Sequence, residues 1–148
     1  MNSCRTEYVS SSPQDTEAFG ERLACRLGPG SVIALSGGLG AGKTCLVKGI
    51  AQALGIGEII TSPTYTIINE YRPAGPNACS LYHIDAYRLN GDEDFASTGA
   101  GDCFSSGGIT IIEWSERIPG SIPPGAIAIN IEISGPQSRI FRLQGLSL

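Results

Sequence analysis

A glycine-rich stretch, SGGLGAGKTC at residues 36–45, constrains this chain more than any other feature. Its spacing of glycine, any four residues, glycine, lysine, and serine or threonine is met by Gly37, Gly42, Lys43 and Thr44. In such a loop, backbone N–H groups and the positive end of the following helix surround one anion, and glycines allow the close approach. The motif therefore predicts a phosphate-binding turn between a strand and a helix.

The segments beside this turn have the hydrophobic patterns of a strand and a helix. SVIALS at residues 31–36 is a short apolar run, and apolar side chains then recur at helical spacing from Lys43 until Gly55. A second apolar strand, ITIIE, covers residues 109–113. Because such strands need both faces covered, we predict an α/β fold, a P-loop NTPase-like sandwich with a mainly parallel central sheet of about five to seven strands.

Weaker patterns predict the remaining elements. These are a first helix at residues 13–27, strands at residues 65–71 and 79–85, and a loop with short helical turns at residues 90–108. The last two strands, AIAINIEI and SRIFRL, flank the short turn SGPQ. A short connection favours antiparallel pairing, so we predict an antiparallel edge hairpin at the end of the chain.

The chemistry expected of the glycine-rich turn is nucleotide binding with Mg²⁺. The ammonium of Lys43 would neutralise the β- and γ-phosphates, and the hydroxyl of Thr44 would ligate the metal. A turn that merely connects a strand to a helix is the alternative. Lys43 is also a predicted catalytic residue. The predicted ATP-binding residues are Gly37, Gly38, Leu39, Gly40, Ala41, Gly42, Lys43, Thr44 and Cys45.

Two strand ends offer the acid that phosphoryl transfer needs near its metal. Asp85 ends SLYHID and Glu113 ends ITIIE. We predict that both are catalytic, and the residues alone leave open which one is linked to the metal. His83 shares a strand face with Asp85, so its imidazole could hold the carboxylate or sense a phosphate. A half-buried histidine satisfied by the backbone is the alternative.

Other residues are candidates for a switch or a sensor. The segment SPTYT carries Ser62 and Thr64 and could close on the γ-phosphate, although a plain strand entry has the same pattern. Trp114 is either a packing residue or a reporter of nucleotide binding. Arg88 is the best internal candidate to meet charge on the transferred phosphate, or it points to a partner.

The choice among nucleotide enzymes favours ATP hydrolysis. A GTPase would normally read guanine with an Asn-Lys-x-Asp motif, which is impossible here because both lysines, Lys43 and Lys48, lie in the turn and its helix. A small P-loop kinase acting on a small-molecule acceptor remains the alternative, but its usual arginine-bearing lid is not recognisable. A module that binds ATP without turnover is a third possibility.

Length, composition and charge indicate the number of domains, the location of the protein and its contact with nucleic acids. A chain of 148 residues with 41% hydrophobic residues suits one domain, so we expect residues 1–148 to form a single P-loop ATPase domain. No run approaches the roughly 20 apolar residues that cross a bilayer, and the N-terminus lacks a signal pattern, which predicts a cytoplasmic protein without membrane contact. A net charge of −4 argues against DNA binding and predicts that any RNA is held by a partner.

Four motifs together resemble one family. GGLGAGKT, SPTYT, LYHIDAYRL and IIEW, in this order and spacing, closely resemble the bacterial TsaE (YjeE) family of small P-loop ATPases. The resemblance implies a role in threonylcarbamoylation of the adenosine adjacent to the anticodon in tRNAs reading codons that begin with A. It also implies a slow Mg²⁺-dependent ATPase, active or stimulated in complex with TsaB and TsaD proteins, which reaches tRNA only indirectly through that complex.

The same resemblance implies roles for individual residues. Thr44 and Glu113 match the family's Mg²⁺ positions, Asp85 matches the acid important for hydrolysis, and Trp114 matches a tryptophan near the nucleotide. Three features depart from the family. Gly38 stands where an acid is usual, and Cys45 stands where a second hydroxyl is common. The segment GAGDCF, residues 99–104, replaces a more apolar and aromatic version.

Overall fold

The structure, a computed structural model, describes residues 5–38, 40–75 and 78–146. Its strands are β1 (Arg5–Ser10), β2 (Val32–Ser36), β3 (Ile68–Tyr71), β4 (Leu81–Asp85), β5 (Ile109–Glu113), β6 (Ile127–Ile133) and β7 (Arg139–Gln144). Its α-helices are α1 (Pro13–Ala24), α2 (Lys43–Ala53) and α3 (Asp92–Thr98), joined by 3₁₀ turns at Ala100–Ser105, Ser115–Arg117 and Pro119–Ser121.

The strands form one seven-stranded sheet in the order β1-β7-β6-β2-β5-β4-β3. The neighbours β6, β2, β5 and β4 are parallel, whereas β3, β7 and β1 pair antiparallel with their neighbours. The predicted α/β class and the parallel centre of the sheet are confirmed, and β2 is the middle strand of the seven. The β6–β7 hairpin is also antiparallel, but the edge beyond it is occupied by β1.

Strand β1 was missed because neither of its faces is apolar throughout. The more buried face carries Thr6, Tyr8 and Ser10. Along Arg5–Ser10, exposed residues alternate with more buried ones. Its Tyr8 ring stacks on Phe19 of α1, with 4.2 Å between the ring centroids. The exposed face is also mixed, so the apolar alternation that predicts a strand is missing, and the sequence predicts no element before α1.

Helices α1 and α2 pack against each other and cover one face of the sheet. Gly49 allows their close approach, because a Cβ at this position would lie 2.1 Å from the Glu17 carbonyl oxygen. Phe19, Leu46 and Ile50 pack into the same buried cluster. The glycine-rich loop of residues 37–44, the P-loop, leads from β2 into α2. The packing of α2 therefore holds the P-loop at the carboxyl end of β2.

The opposite face of the sheet is covered over β4 and β5. Phe95 of α3 packs there with Ile84 and Ile112. The short helix and the 3₁₀ turn after it agree with the predicted loop with helical turns. None of the helices in the described ranges is long and apolar enough to cross a bilayer.

Candidate nucleotide-binding site

The carboxyl ends of the parallel strands meet at the sheet edge where the P-loop joins β2 to α2. Asp85 and Glu113 are the last residues of β4 and β5 and are register partners in that parallel pair. A cavity of about 440 Å³ lies over them. Its lining includes Lys43, Thr44, Ser62, Thr64, Asp85, Glu113 and Trp114, together with Gly38, Gly40, Ala41, Gly42 and Cys45. Residues separated by up to 76 positions in sequence therefore face one cavity.

Three predicted site residues do not line this cavity, namely Gly37, His83 and Arg88. Leu39 lies outside the described residues. Gly37 lies at the base of the loop with φ of 146°, and a Cβ there would lie 2.7 Å from the Ile131 carbonyl oxygen. Its position therefore requires glycine. Its N–H donates to the Glu116 carboxylate over 3.1 Å.

The Lys43 side chain folds back over the P-loop. Its Nζ donates to the carbonyl oxygens of Gly37 and Gly38, the second over 3.2 Å. The ammonium also lies 3.7 Å from the centroid of the Trp114 ring, within the range of a cation–π contact. Both carbonyl bonds are local and exchangeable, so the ammonium can turn to an anion in the adjoining cavity.

Burial dominates the electrostatics of Lys43. It lowers the pKa of the ammonium from the ordinary value of 10.5, because desolvation penalises the charged form. Glu116, Glu113 and Asp85 oppose this shift, in that order. The site therefore holds one buried cation among three carboxylates, and a bound polyphosphate would add negative charge next to that cation.

Glu113 is held by regular elements on both sides. The Thr44 hydroxyl of α2 lies 3.3 and 3.4 Å from the two oxygens of this carboxylate. From β4, the His83 Nε2 hydrogen-bonds to the same carboxylate. The P-loop hydroxyl and the strand-end acid are thus side by side, which is the arrangement needed to share one cation.

Asp85 is held mainly by the segment that precedes β3. The hydroxyls of Ser62 and Thr64 donate to its Oδ2 over 2.9 and 3.2 Å, and the Tyr87 N–H donates to Oδ1 over 2.9 Å. Ser62 also lies 3.3 Å from the Glu113 Oε2. The segment SPTYT at residues 62–66, called the hydroxyl segment below, therefore contacts both acids, as a switch over this cavity would have to do.

His83 differs from both sequence interpretations. It bonds Glu113 on the neighbouring strand rather than Asp85 on its own, and it is fully buried rather than half-buried. Its Nδ1 has no hydrogen-bond partner among the described residues. A carboxylate can only accept, so Nε2 is the donor in the bond to Glu113. A same-face argument along one strand missed this cross-strand contact.

Trp114 contacts the P-loop lysine and lines the cavity, whereas Arg88 does not line it. Trp114 has a left-handed backbone, with φ of 59°, and its ring packs 4.9 Å from that of Tyr87 as well as against Lys43. The Arg88 guanidinium lies over the exposed Tyr65 ring at 4.1 Å from its centroid. Trp114 is therefore placed to report changes in the cavity, whereas Arg88 contacts the hydroxyl segment from outside.

The Cys45 thiol bonds to α1, and the residue also lines the cavity over the acids. Its Sγ donates to the Pro13 carbonyl oxygen of α1 over 3.2 Å. Burial raises the pKa of this thiol, so it is held protonated. The residue ties the first turn of α2 to the start of α1.

Sequence reasoning missed two charged residues that hold the P-loop. Glu116 binds the Gly37 N–H, and its position shortly after Glu113 is a signal that could have suggested it. Arg139 donates to the carbonyl oxygens of Gly40 and Ala41 over 2.9 and 3.1 Å. No local signal marks Arg139, because its partners lie about a hundred residues earlier in the chain.

The oxygen ligands at this site suit Mg²⁺. Thr44 and Glu113 offer a hydroxyl and a carboxylate, the hard ligands that this ion accepts while keeping several waters. No group of three or more histidine, cysteine or acidic side chains able to hold a metal occurs among the described residues. A metal held by two protein groups, water and phosphate oxygens fits this pattern better than a closed protein cage.

Comparison with known proteins agrees with this geometry. A family model described as threonylcarbamoyl adenosine biosynthesis protein TsaE matches residues 10–141. The chain belongs to the TsaE family. The matched span contains the P-loop, the hydroxyl segment, both strand-end acids and Arg139, so TsaE membership rests on nearly the whole fold.

TsaE proteins of several bacteria are similar to this chain. The tRNA threonylcarbamoyladenosine biosynthesis protein TsaE of Treponema pallidum is 43% identical over 131 residues, covering 88% of this chain and 94% of that protein. The protein of that name from Bacillus subtilis is 37% identical over 128 residues, covering 86% and 78%. The crystal structure of Bacillus subtilis YdiB matches with a TM-score of 0.81 and 30% identity, covering 99% of this chain and 89% of that one. The resemblance drawn from the motifs is confirmed, as is the P-loop fold.

Proposed function

We propose that this TsaE family member binds ATP with Mg²⁺ and hydrolyses it slowly. Its role would be to support threonylcarbamoylation of the adenosine adjacent to the anticodon in tRNAs reading codons that begin with A. One observation carries the proposal: Thr44 of the P-loop meets Glu113, while Asp85 beside it is held by the hydroxyls of Ser62 and Thr64. Binding and hydrolysis can thus be divided between two neighbouring carboxylates.

The binding half consists of the P-loop, Lys43, Thr44 and Glu113. Lys43 would exchange the Gly37 and Gly38 carbonyls for oxygens of the β- and γ-phosphates. Thr44 and Glu113 would hold Mg²⁺. When bound, this ion neutralises charge on the phosphates. Residues from Gly37 to Cys45 would surround the polyphosphate at the start of α2, where helix N–H groups favour an anion.

The hydrolytic half is assigned to Asp85. Its carboxylate lines the cavity, and two of its bonds come from hydroxyls that can reorient. Asp85 would accept a hydrogen bond from the attacking water and so aim that water at the γ-phosphorus. A new P–O bond forms to the water as the bond to the β–γ bridging oxygen breaks, which yields ADP, phosphate and a proton.

We attribute slow turnover by the isolated chain to the lack of an arginine that would meet the charge developing on the transferred phosphate. Arginine side chains that meet the developing charge raise such rates about 10³- to 10⁵-fold. No arginine is among the residues lining the cavity in the described part of the chain, and Arg88 lies over Tyr65. We therefore propose that TsaB and TsaD proteins complete the site or order the hydroxyl segment over it.

The proposal also covers the domain organisation of the chain, its cellular location and the molecules it does not bind. We infer a single P-loop ATPase domain over residues 1–148 in the cytoplasm, where tRNA is modified. A net charge of −4 suits a subunit that leaves tRNA contact to its partners and binds neither DNA nor membrane.

The test begins with Lys43→Ala, and Lys48→Ala serves as the matched control on the exposed side of α2. Calorimetry should show that Lys43→Ala weakens ATP binding at least about 100-fold, because it removes the cation nearest the phosphates. The control should bind like wild type. Unchanged affinity together with unchanged phosphate release in Lys43→Ala would refute the assignment.

A second assay measures phosphate release while TsaB and TsaD proteins are titrated in. We expect slow turnover by the chain alone and a rise in the presence of both partners. Fast turnover alone, on the order of the 1 to 100 s⁻¹ typical of kinases, with no response to partners, would instead favour a small P-loop kinase.

A further inference from the structure

Arg139, the first residue of β7, joins two loops through one guanidinium group. Its Nε and Nη2 donate to the carbonyl oxygens of Ala41 and Gly40 over 3.1 and 2.9 Å. Its Nη1 donates to the carbonyl oxygens of Gly135 and Ser138 over 3.0 and 2.8 Å. The P-loop is thereby tied to the turn between β6 and β7.

These bonds reach the P-loop from outside the cavity that lies over the two acids. Arg139 is absent from the lining of the cavity over the two acids, whereas Gly40, Ala41 and Gly42 line it. In a planar trans peptide, the carbonyl and the N–H point in opposite directions. Holding the Ala41 carbonyl on the Arg139 side therefore directs the Gly42 N–H away from Arg139.

We propose that Arg139 is a positioning residue, which holds the P-loop in its phosphate-binding shape before a nucleotide arrives. The proposal rests on the nucleotide binding proposed above. A loop held in its bound conformation loses less conformational entropy on binding, so a fixed loop binds more tightly. The planar fork suits this task, because it presents five N–H donors in fixed directions.

The first arm of the test needs no ligand. Hydrogen–deuterium exchange of the nucleotide-free protein should show faster exchange in peptides covering the P-loop in Arg139→Ala. Arg142→Ala is the matched control, since it removes an arginine from the same strand whose exposed side chain pairs with Glu7 and Glu132 instead. That control should leave P-loop exchange unchanged.

The second arm measures ATP affinity by calorimetry, with Mg²⁺ and with EDTA. Arg139→Ala should weaken binding about tenfold under both conditions, since hydrogen bonds to charged groups are strong and the loss does not involve the metal. Turnover at saturating ATP should change little, so the effect falls on KM rather than on kcat. Arg139→Lys keeps the charge but cannot span the same carbonyls, and most of the loss should persist in it.

Each result bears on one claim. Weaker ATP binding with unchanged exchange in the nucleotide-free protein would overturn the positioning role and indicate direct contact with the nucleotide. Full rescue by Arg139→Lys would overturn the role of the fork. Wild-type protein that binds no ATP would refute the proposed function, and the exchange arm would still decide whether Arg139 holds the loop. If Arg139→Ala does not fold, Arg139→Gln enters the same measurements.

Discussion

The ends of β4 and β5 hold their carboxylates in different ways. Both Asp85 and Glu113 are only 3% exposed. Glu113 is held by Thr44 from a helix and by His83 from a strand. Asp85 is held by two hydroxyls from an irregular segment. The comparison suggests a fixed half that binds metal and nucleotide, and an adjustable half that controls hydrolysis.

The segment that holds Asp85 lies outside the regular elements, and several of its side chains are exposed. Its Tyr65 side chain is 82% exposed, and Ile67 has a left-handed backbone with φ of 71°. Two backbone bonds fix Ile67, from its N–H to Pro63 and from Asp85 to its carbonyl, each over 2.8 Å. Irregular segments at the surface open at lower free-energy cost than core strands and helices. A partner that presses on Tyr65 would therefore move the hydroxyls that hold Asp85, whereas Thr44 and His83, the main partners of Glu113, lie outside this segment.

The largest effect is expected at Glu113. In Glu113→Gln, single-turnover hydrolysis should fall about 1,000-fold, since the change removes the charge beside Thr44 that would hold the metal. The amide is nearly isosteric, so the fold should survive. Rapid-quench kinetics would measure the loss, and circular dichroism melting provides the folding control. Near wild-type hydrolysis would remove Glu113 from the mechanism.

Asp85→Asn should lower hydrolysis about 100-fold, because an amide orients the attacking water less well than a carboxylate. ATP affinity should stay within about twofold of wild type, since the P-loop contacts are intact. Calorimetry and rapid-quench kinetics on the same preparation separate these effects. If affinity falls as far as turnover, the two carboxylates do not divide the work.

Smaller effects should separate two hydroxyls of the adjustable half. Thr64→Val removes one donor to Asp85, and hydrolysis should fall by about tenfold or less. Ser62→Ala removes a donor to both acids, so it should also raise the Mg²⁺ concentration needed for binding. The pair serve as mutual controls in a phosphate-release assay at several Mg²⁺ concentrations. Identical Mg²⁺ dependence in both variants would show that the Ser62 contact with Glu113 does not affect Mg²⁺ binding.

The smallest effect concerns the pH dependence of folding. Burial lowers the pKa of Lys43, so the unfolded chain holds this proton more tightly than the folded protein. Stability in wild type should therefore rise with pH between the folded pKa of Lys43 and 10.5, and Lys43→Met should lack that rise. Urea unfolding across alkaline pH gives the difference between the two proteins. A constant difference would show that this lysine does not titrate differently on folding.

Local chemistry explains which parts of the site could be predicted from sequence. Lys43 and Thr44 lie in a contiguous motif, and Asp85 and Glu113 end apolar strands that converge when they pair in parallel. The bounds of β5 match the predicted ITIIE, because a fully buried strand is apolar throughout. Roles at these positions remain predictions, but their meeting at one cavity is a property of the fold.

Contacts set by tertiary placement were beyond sequence reasoning. Arg139 lies on the strand next to β6, and only the sheet order brings its side chain to Gly40 and Ala41. His83 was placed with Asp85 because residues two apart share a strand face, yet its ring reaches Glu113 across the parallel pair. Periodicity gives the face of a strand but not the partner on its neighbour.

A Mg²⁺ titration of ATP binding tests the division between the two acids most directly. Trp114 fluorescence can follow it, since this ring contacts the Lys43 ammonium. In Glu113→Gln the midpoint should move to at least about tenfold higher Mg²⁺, and in Asp85→Asn it should stay at the wild-type value. A shifted midpoint in Asp85→Asn with an unchanged one in Glu113→Gln would contradict the account and give the metal to Asp85.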